Sequence, residues 1–503
     1  MNEQQLTKKE LIKVSPLDTV AVALGDLCSG ESYTVDGVTV TLKNDIPFGH
    51  KVALQDIAEG ENIIKYGHPI GHARCAITKG EHVHAHNLKT NLDGILEYTY
   101  HKNEAALKGF DEHIEATFEG YVRPDGRVGT RNEVWIIPTV GCVNVTAERL
   151  CNEARKRFGD RVEAINCYTH NVGCSQLGRD QENTMRLLSG LIHHPNAGAV
   201  LVVSLGCENN NLEVFAPYLG EVDPNRVKFM VTQDVEDEYE TGIQLLDELT
   251  QYASQFKRET VSAKHLVVGF KCGASDAFSG ITANPLVGRL NDRIVKCGGS
   301  TILTEVPEMF GAETLLMERA VDKSTFDDVV KLINDYKEYF IRYNQTIYEN
   351  PSPGNKKGGI SSLEEKSLGC TQKGGHAPVV ACLDYGQQVV KNGLNLLTGS
   401  GNDAVSCTNL VCSGATIVCF TTGRGNPYGT PVPTVKVASN TRLATRKPNW
   451  IDFNAGQILD GNSFEQATDN FFNYILEVAS GKKTNNEING YQEISIFRDG
   501  VIL

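Results

Sequence analysis

The stretch VWIIPTVGCVN at residues 134–144 opens the pattern that decides the fold. It begins with a mostly apolar run of strand length, as expected for a strand buried on both faces, and a Gly-Cys turn follows at once. Similar apolar runs recur downstream, each leading into a turn and then a helix-length segment, at residues 162–168, 199–205, 227–231, 266–270 and 301–306. This alternation predicts an α/β body with a mainly parallel β-sheet flanked by helices.

The sequence before this body has a different pattern of apolar and polar residues. Residues 14–90 contain short β-branched runs separated by Gly and Asp turns, which is typical of short paired strands. Residues 99–120 are charged and only weakly periodic, which favours a linker. We therefore predict a small β domain at 1–95, a linker at 96–130, and an α/β body in two parts at 131–320 and 321–503, the second including dimerising or connecting helices.

Composition and charge exclude several classes of protein. The 503 residues carry a formal net charge of −14, so a nucleic acid is not an expected partner. The N-terminus lacks the apolar core of a signal peptide, and no run is long enough to predict a membrane span. The 14 cysteines, without a secretory signal, are therefore expected to be reduced thiols in a cytoplasmic protein that acts on a small molecule.

Polar side chains follow several of the predicted parallel strands. In open parallel sheets, ligands bind beyond the carboxyl ends of the strands. Thiolates and imidazoles suit Fe(II) or Zn, whereas carboxylates and amides suit Mn or Mg. This mixture of donors does not decide which metal ion would bind. The candidate metal ligands here are Cys142, Cys174, Cys207, Glu208 and Glu305, with Asn209 and Asn210 as substrate ligands and His170 or Lys271 as the base. A small buried core residue is the alternative for each cysteine taken alone.

The segment EHVHAHN at residues 81–87 ends the predicted β domain. In a strand, side chains alternate with period two, so His82, His84 and His86 would share one face. We predict His84 and His86 as metal ligands or as a proton-transfer pair, with His86 as the catalytic acid. A solvated histidine-rich edge strand is the alternative.

Arginines in glycine-rich loops are candidates for binding an acidic substrate. The loop at residues 120–132 contains Arg123 and Arg131, and TGRGNP at 422–427 contains Arg424. The forked guanidinium group suits a carboxylate, although ion pairs between domains would use the same residues. The sequence has no Walker loop and no Gly-x-Gly-x-x-Gly between a strand and a helix, which disfavours a nicotinamide oxidoreductase.

Many segments together resemble the altronate and galactarate dehydratase family. They run in one order from about residue 18 to the C-terminus, and they include GHKVALQDIAEGENIIKYGHPIG, GEHVHAHN, GTRNEVWIIPTVGCVN, HPNAGAVLVVSLGCENN, GASDAFSGITANPLVGR, TEVPEMFGAE, YENPSPGNKKGGI, EEKSLGCTQK and TGRGNPYG. The resemblance implies an N-terminal SAF-type β-clip domain, a dimerising region, a Rossmann-like body and a homodimer.

The resemblance also implies an activity. It is the dehydration of D-altronate to 2-dehydro-3-deoxy-D-gluconate in hexuronate (galacturonate) catabolism, assisted by Fe(II) or Mn(II). A galactarate dehydratase would need to bind a second terminal carboxylate. The segment GEHVHAHN is more similar to the altronate branch of the family. An iron-sulfur cluster on Cys142, Cys174 and Cys207 is the alternative cofactor, and a non-catalytic sugar-acid-binding protein is the alternative function.

Overall fold

The N-terminal part of the chain folds into small antiparallel sheets. The computed structural model describes residues 10–101, 103–104, 108–110 and 112–503, so parts of the predicted β domain and linker lie outside the described residues. A four-stranded sheet has the order β1-β2-β5-β8, β3 pairs with β4, and β6-β7-β9 form a third sheet. The strands are β1 (Leu11–Ile12), β2 (Val20–Ala23), β3 (Ser32–Val35), β4 (Val38–Thr41), β5 (Lys51–Ala53), β6 (Asn62–Lys65), β7 (His68–Ala73), β8 (His82–Val83) and β9 (Leu88–Lys89).

The end of the predicted linker is built into the body. Strands β10 (Thr117–Val122) and β11 (Val128–Gly129) pair with each other, and β10 also pairs antiparallel with β16 (Glu259–Ser262). These strands form a three-stranded sheet that connects the two halves of the body.

The first half of the body contains a four-stranded parallel sheet. Its strands are β12 (Glu133–Pro138), β13 (Ala164–Cys167), β14 (Ala197–Ser204) and β15 (Val227–Val231), in the order β13-β12-β14-β15. Alternate residues of β12 face opposite helical layers: Val134 packs with Leu150 and Leu246, whereas Trp135 packs with Leu188. The layers are α1 (Asn144–Phe158) with α4 (Glu238–Ala253), and α2 (Gly178–Ile192) with α3 (Leu212–Leu219). Both faces of the sheet are therefore covered, as the apolar runs predict.

The second half contains a seven-stranded parallel sheet of order β19-β20-β18-β17-β21-β22-β23. Its strands are β17 (Val267–Cys272), β18 (Ser300–Leu303), β19 (Val379–Leu383), β20 (Gly393–Leu397), β21 (Ile417–Thr422), β22 (Thr434–Ala438) and β23 (Phe453–Asn454). The helices are α5 (Ala283–Lys296), α6 (Thr314–Met317), α7 (Lys323–Arg342), α8 (Pro353–Lys357), α9 (Leu363–Cys370), α10 (Asp403–Cys412), α11 (Thr441–Arg446), α12 (Phe464–Ala479) and α13 (Asn485–Asn489).

The body therefore has two parallel sheets where the sequence predicted one. They are separate because β16 pairs antiparallel with β10 and does not extend either sheet. The seven-stranded sheet also continues across residue 320, where the sequence predicted a division of the body.

The strand order locates the places where a ligand can enter. The strand order reverses between β12 and β14 in the smaller sheet, and between β17 and β21 in the larger one. Loops on either side of such a reversal leave a crevice at the carboxyl ends of the strands. Within the described part of the chain, no helix is long and apolar enough to cross a membrane.

Candidate functional site

Four imidazole rings cluster where the N-terminal domain meets the body. Strand β8 ends at Val83, and a turn follows in which the His84 amide donates to the Asn87 side chain at 3.0 Å. The rings meet through this turn and not through the predicted strand alternation. The His82 centroid lies 5.7 Å from that of His84 and 5.4 Å from that of His86.

The fourth ring belongs to His50, which the sequence did not single out. Strand β5 pairs with β8, and its flanking residue His50 places Nδ1 at 2.9 Å from His82 Nε2. The other ring nitrogen of His50 faces the carbonyl oxygen of Lys357 at 3.3 Å. Because a carbonyl only accepts, neutral His50 carries its proton on Nε2, and its Nδ1 lone pair points at His82.

Burial keeps the rings of His82 and His84 neutral. Burial lowers the pKa of His82 to about 4, with further contributions from His50 and His86. Burial and the neighbouring Lys51 ammonium lower the pKa of His84 to about 3. At neutral pH these imidazoles therefore keep the lone pairs that metal ligation and proton abstraction need.

A buried ion-pair network holds the histidines against the body. Lys51 and Lys65 of the N-terminal domain lie 2.8 and 2.7 Å from the two carboxylate oxygens of Glu365 on α9. Lys51 also donates to Ser361 Oγ at 2.7 Å, and His84 Nδ1 lies 3.0 Å from the same hydroxyl. Burial lowers the pKa of Lys51 to about 8, because one carboxylate does not fully offset two buried ammonium groups.

Cations border the same interface. Arg424, at the loop after β21, is exposed and donates from Nη1 to Gly354 O at 3.0 Å. Lys356 and Lys357 are exposed on α8, whose last carbonyl faces His50. Arg442 lies over the ring of Phe48, two residues before His50. An acidic protein thus concentrates positive charge beside its histidine cluster, which suits an anionic ligand.

A second polar centre is buried at the carboxyl ends of β17 and β18. Lys271 contacts Glu305, lies 2.9 Å from Asp403 Oδ1, and has no exposed surface. Burial opposes its charge, but Glu305 and Asp403 raise the pKa of Lys271 well above its ordinary value. Lys271 is therefore an ammonium ion, and its two carboxylate partners oppose the loss of a proton that the predicted role of base requires.

The same centre contains a cysteine pair that no local sequence pattern connects. Among the described residues, Cys272, Glu308 and Cys370 form the one group of three ligating side chains whose donor atoms all lie within 4.8 Å of one another. Lys366 donates to Glu308 at 2.7 Å, and Lys373 donates to Glu305 at 2.8 Å. The sequence signal for this group is the stretch KSLGC at residues 366–370. Its polar residues are typical of a solvent-exposed helix, but in the structure they are buried.

The predicted cysteine ligands lie at the edge of the smaller sheet. Cys142, Cys174 and Cys207 are exposed, on the loops after β12, β13 and β14. Glu208, beside Cys207, accepts hydrogen bonds from Thr139 Oγ1 and Ser204 Oγ, both at 2.6 Å. Its carboxylate therefore orders the loop in this structure.

The neighbouring predicted residues also connect these loops. His170 is buried, with Nε2 at 2.7 Å from Pro138 O, while its Nδ1 accepts from the Val172 amide at 3.3 Å. Asn209 accepts from the Ser175 amide at 2.7 Å, and Asn210 donates to Thr139 O at 3.0 Å. Both nitrogens of His170 are thus engaged by the backbone, which leaves neither for a substrate proton.

Buried neutral histidines predict a loss of stability in acid. Burial lowers the pKa of His170 to about 4 and that of His194 to about 3, from about 6.5 in an unfolded chain. The unfolded chain binds more protons below pH 6.5, so each histidine should cost about 1.4 kcal/mol of stability per pH unit as the pH falls towards its folded pKa. Thermal unfolding should give a lower Tm at pH 5 than at pH 7, and His170→Asn should reduce the difference. An unchanged Tm over this range would contradict the assignment.

The two predicted arginines before β12 are buried within the protein. Arg123 donates to Pro195 O at 2.8 Å and to Asn132 Oδ1 at 2.9 Å. Arg131 pairs with Glu487 of α13 at 2.7 Å. Their donors join the β10–β12 region to the rest of the body, whereas Arg424 remains exposed beside α8, the helix whose last carbonyl faces His50.

Apart from Arg123 and Arg131, the predicted residues fall into three sets in the structure. His84, His86 and Arg424 lie at the boundary between the N-terminal domain and the larger sheet. Lys271 and Glu305 lie in the buried centre beneath that sheet edge. The set at the edge of the smaller sheet comprises Cys142, Cys174, Cys207, Glu208, His170, Asn209 and Asn210.

Comparisons with known proteins cover the whole chain. Three family models match: "Altronate/galactarate dehydratase SAF domain" at residues 9–91, "D-galactarate dehydratase/Altronate hydrolase, second domain" at 120–254, and "D-galactarate/Altronate dehydratase, C-terminal" at 263–502. Altronate dehydratase from Bacillus subtilis is 51% identical, covering 98% of this chain and 100% of that protein. Altronate dehydratase from Escherichia coli is 49% identical with the same coverage. Galactarate dehydratase (L-threo-forming) from Escherichia coli is 35% identical, covering 94% of this chain and 93% of that protein. The chain belongs to the altronate and galactarate dehydratase family, with an N-terminal SAF domain.

Proposed function

We propose that this protein dehydrates D-altronate to 2-dehydro-3-deoxy-D-gluconate in hexuronate catabolism. The observation that carries the proposal is the identity of 49 to 51% to two altronate dehydratases over the full chain, against 35% to a galactarate dehydratase. The histidine cluster and its cationic border supply the groups that such a reaction needs.

We place the substrate between the SAF domain and the edge of the seven-stranded sheet. The substrate carboxylate binds Arg424, whose guanidinium is exposed next to Gly354. Asn426 donates to Asp403 at 2.7 Å, and Asp403 is paired with Lys271. The buried centre thereby fixes the loop that carries Arg424, and Lys271 acts as a positioning cation.

The histidine donor set fits a divalent ion such as Fe(II) or Mn(II). Two ligands at right angles around an ion, each about 2.1 Å away, lie about 3 Å apart. His50 Nδ1 and His82 Nε2 have a separation of 2.9 Å, and His50 has a backbone carbonyl at its other nitrogen, as metal-bound histidines commonly do. His50 and His82 would hold the ion, which supplies a positive charge for the substrate carboxylate and hydroxyl.

The buried Cys272, Glu308 and Cys370 group fits a divalent ion less well. Lys366 already binds Glu308, and it and Lys373 place two ammonium groups near the thiols. A cation added here would be repelled while the thiols keep their protons.

Proton transfer is assigned to the two remaining histidines. In the tautomer whose Nδ1–H donates to Ser361 Oγ, the Nε2 lone pair of His84 is free to take the C2 proton. An anionic substrate beside His84 offsets the charge of Lys51 and makes the imidazole more basic. His86 is exposed next to His82 and delivers a proton to the departing C3 hydroxyl.

We further propose that the protein is a cytoplasmic homodimer with a Rossmann-like body. Thiols exposed at Cys28, Cys75, Cys142, Cys174 and Cys207 support a reducing compartment. The order β13-β12-β14-β15, with helices on both faces, supports the Rossmann-like arrangement. Light scattering of the purified protein tests the dimer.

Parallel assays with metals and two substrates test the proposed function. Metal-stripped protein should form no 2-keto acid from D-altronate, and added Fe(II) or Mn(II) should restore turnover. Galactarate serves as the matched control and should give at most a small fraction of that rate. Turnover of galactarate but not altronate would overturn the substrate assignment, and full turnover without metal would overturn the metal assignment.

A further inference from the structure

Three exposed thiols lie at one edge of the four-stranded sheet, outside the machinery assigned above. Cys142, Cys174 and Cys207 follow β12, β13 and β14, which are neighbours in the sheet. Each lies two to five residues before the first residue of α1, α2 or α3. The edge includes the reversal of strand order between β12 and β14, where open α/β sheets bind ligands.

Backbone hydrogen bonds join the three loops into one unit. The Gly141 amide donates to Val172 O, and the Asn210 amide donates to Gly173 O, both at 3.0 Å. Gly173 has a φ of +100°, and a Cβ there would lie 2.0 Å from Thr139 O, so the chain approaches too closely for any side chain. The loop carrying Cys174 is thereby held between the loops carrying the other two thiols.

The three thiols suit one class of ligand better than a disulfide or a single ion. Three thiols cannot all pair as disulfides, and their sulfur atoms are not all within 4.8 Å of one another, as ligands of a single ion would be. A four-iron cluster holds its thiolates farther apart than a single ion does and carries net negative charge with them. The amino-terminal ends of α1, α2 and α3 lie at this edge, and their dipoles stabilise an anion.

We propose that Cys142, Cys174 and Cys207 bind an iron-sulfur cluster of the [4Fe–4S] class. With three protein thiolates, one iron is left for an oxygen ligand.

Anaerobic reconstitution with equal amounts of ferrous and ferric iron, and with sulfide, tests the proposal through the cluster itself. The wild-type protein should take up about four irons and about four acid-labile sulfides per chain, with broad visible absorbance that dithionite bleaches. Cys142→Ala, Cys174→Ala and Cys207→Ala should each lose most of the sulfide and the absorbance. Cys75→Ala, which removes an exposed thiol of the SAF domain, should retain both.

Circular dichroism of each variant separates loss of the cluster from loss of the fold. Uptake of iron without sulfide would overturn the proposal, as would a full cluster in all three alanine variants. Dehydration of altronate is measured separately in the same samples. Activity without a cluster would remove this inference and leave the proposed function. A cluster without activity would leave this inference and remove the proposed function.

Discussion

Replacing His84 by alanine is expected to lower kcat/KM for D-altronate by about 10²- to 10⁴-fold, the range for loss of a positioned acid or base. The ring lies 3.0 Å from the Ser361 hydroxyl, and burial keeps it unprotonated at neutral pH. Without it, no imidazole remains at this position to accept the C2 proton. Most of the loss should appear in kcat, because the carboxylate would still bind Arg424.

His68→Ala is the matched control, since His68 is an exposed histidine in the same domain outside the cluster. It should keep wild-type kcat/KM, and both variants should keep the bound metal because His50 and His82 are intact. A His84→Ala enzyme with kcat within about threefold of wild type would remove His84 from the role of base.

Replacing Glu365 by alanine is expected to destabilise the protein by about 3–5 kcal/mol, the cost of leaving a buried charge unpaired. Glu365 pairs with Lys51 and Lys65, and all three side chains are at most 1% exposed. Its removal leaves two buried ammonium groups together at the boundary that positions the histidines. Urea unfolding should show a large shift in midpoint, with the SAF domain separating from the body first.

Asp327→Ala is the control for this substitution, because it breaks an ion pair with Lys323 whose side chains are 56% and 64% exposed. It should change the free energy of unfolding by less than about 1 kcal/mol. The triple variant Lys51→Met, Lys65→Met, Glu365→Leu should recover much of the loss, because it removes the buried charges together. Equal effects of Glu365→Ala and Asp327→Ala would contradict the role given to this network.

The sequence predicted that helices cover both faces of a parallel sheet, but it did not predict that the parallel strands form two separate sheets. The apolar run at 134–140 is typical of a strand covered on both faces, and β12 is buried throughout. Whether later runs join the same sheet depends on long-range pairing. The antiparallel pairing of β16 with β10, which separates the two sheets, leaves no signal in the local pattern.

The histidine cluster shows the same limit. EHVHAHN indicated a site, but His50 joins it through a pairing between β5 and β8 that spans about thirty residues of chain. Arg424 stood out as a cation in a glycine-rich loop and is exposed, whereas Arg123 and Arg131 had the same local appearance and are buried. Only the fold separates an exposed arginine, which is available to a ligand, from a buried one that joins parts of the protein.

The buried centre was the hardest part to predict. Lys366, Cys370 and Lys373 lie in a segment that reads as a solvated helix, yet their side chains are at most 8% exposed. The two lysines are buried because carboxylates from the loop after β18 neutralise them, with Lys366 bound to Glu308 and Lys373 to Glu305. Complementary charges from distant segments cannot be matched by reading either segment alone.

Turnover of D-altronate in D₂O, followed by NMR, tests the central claim most directly. Removal of the C2 proton and loss of the C3 hydroxyl give an enol that takes a proton from solvent at C3 when it becomes the 2-keto acid. The metal-loaded protein should therefore produce 2-dehydro-3-deoxy-D-gluconate with a single solvent deuteron at C3. Folded, metal-loaded protein that leaves altronate unchanged, or that gives a 2-keto acid without solvent deuterium at C3, would contradict the account.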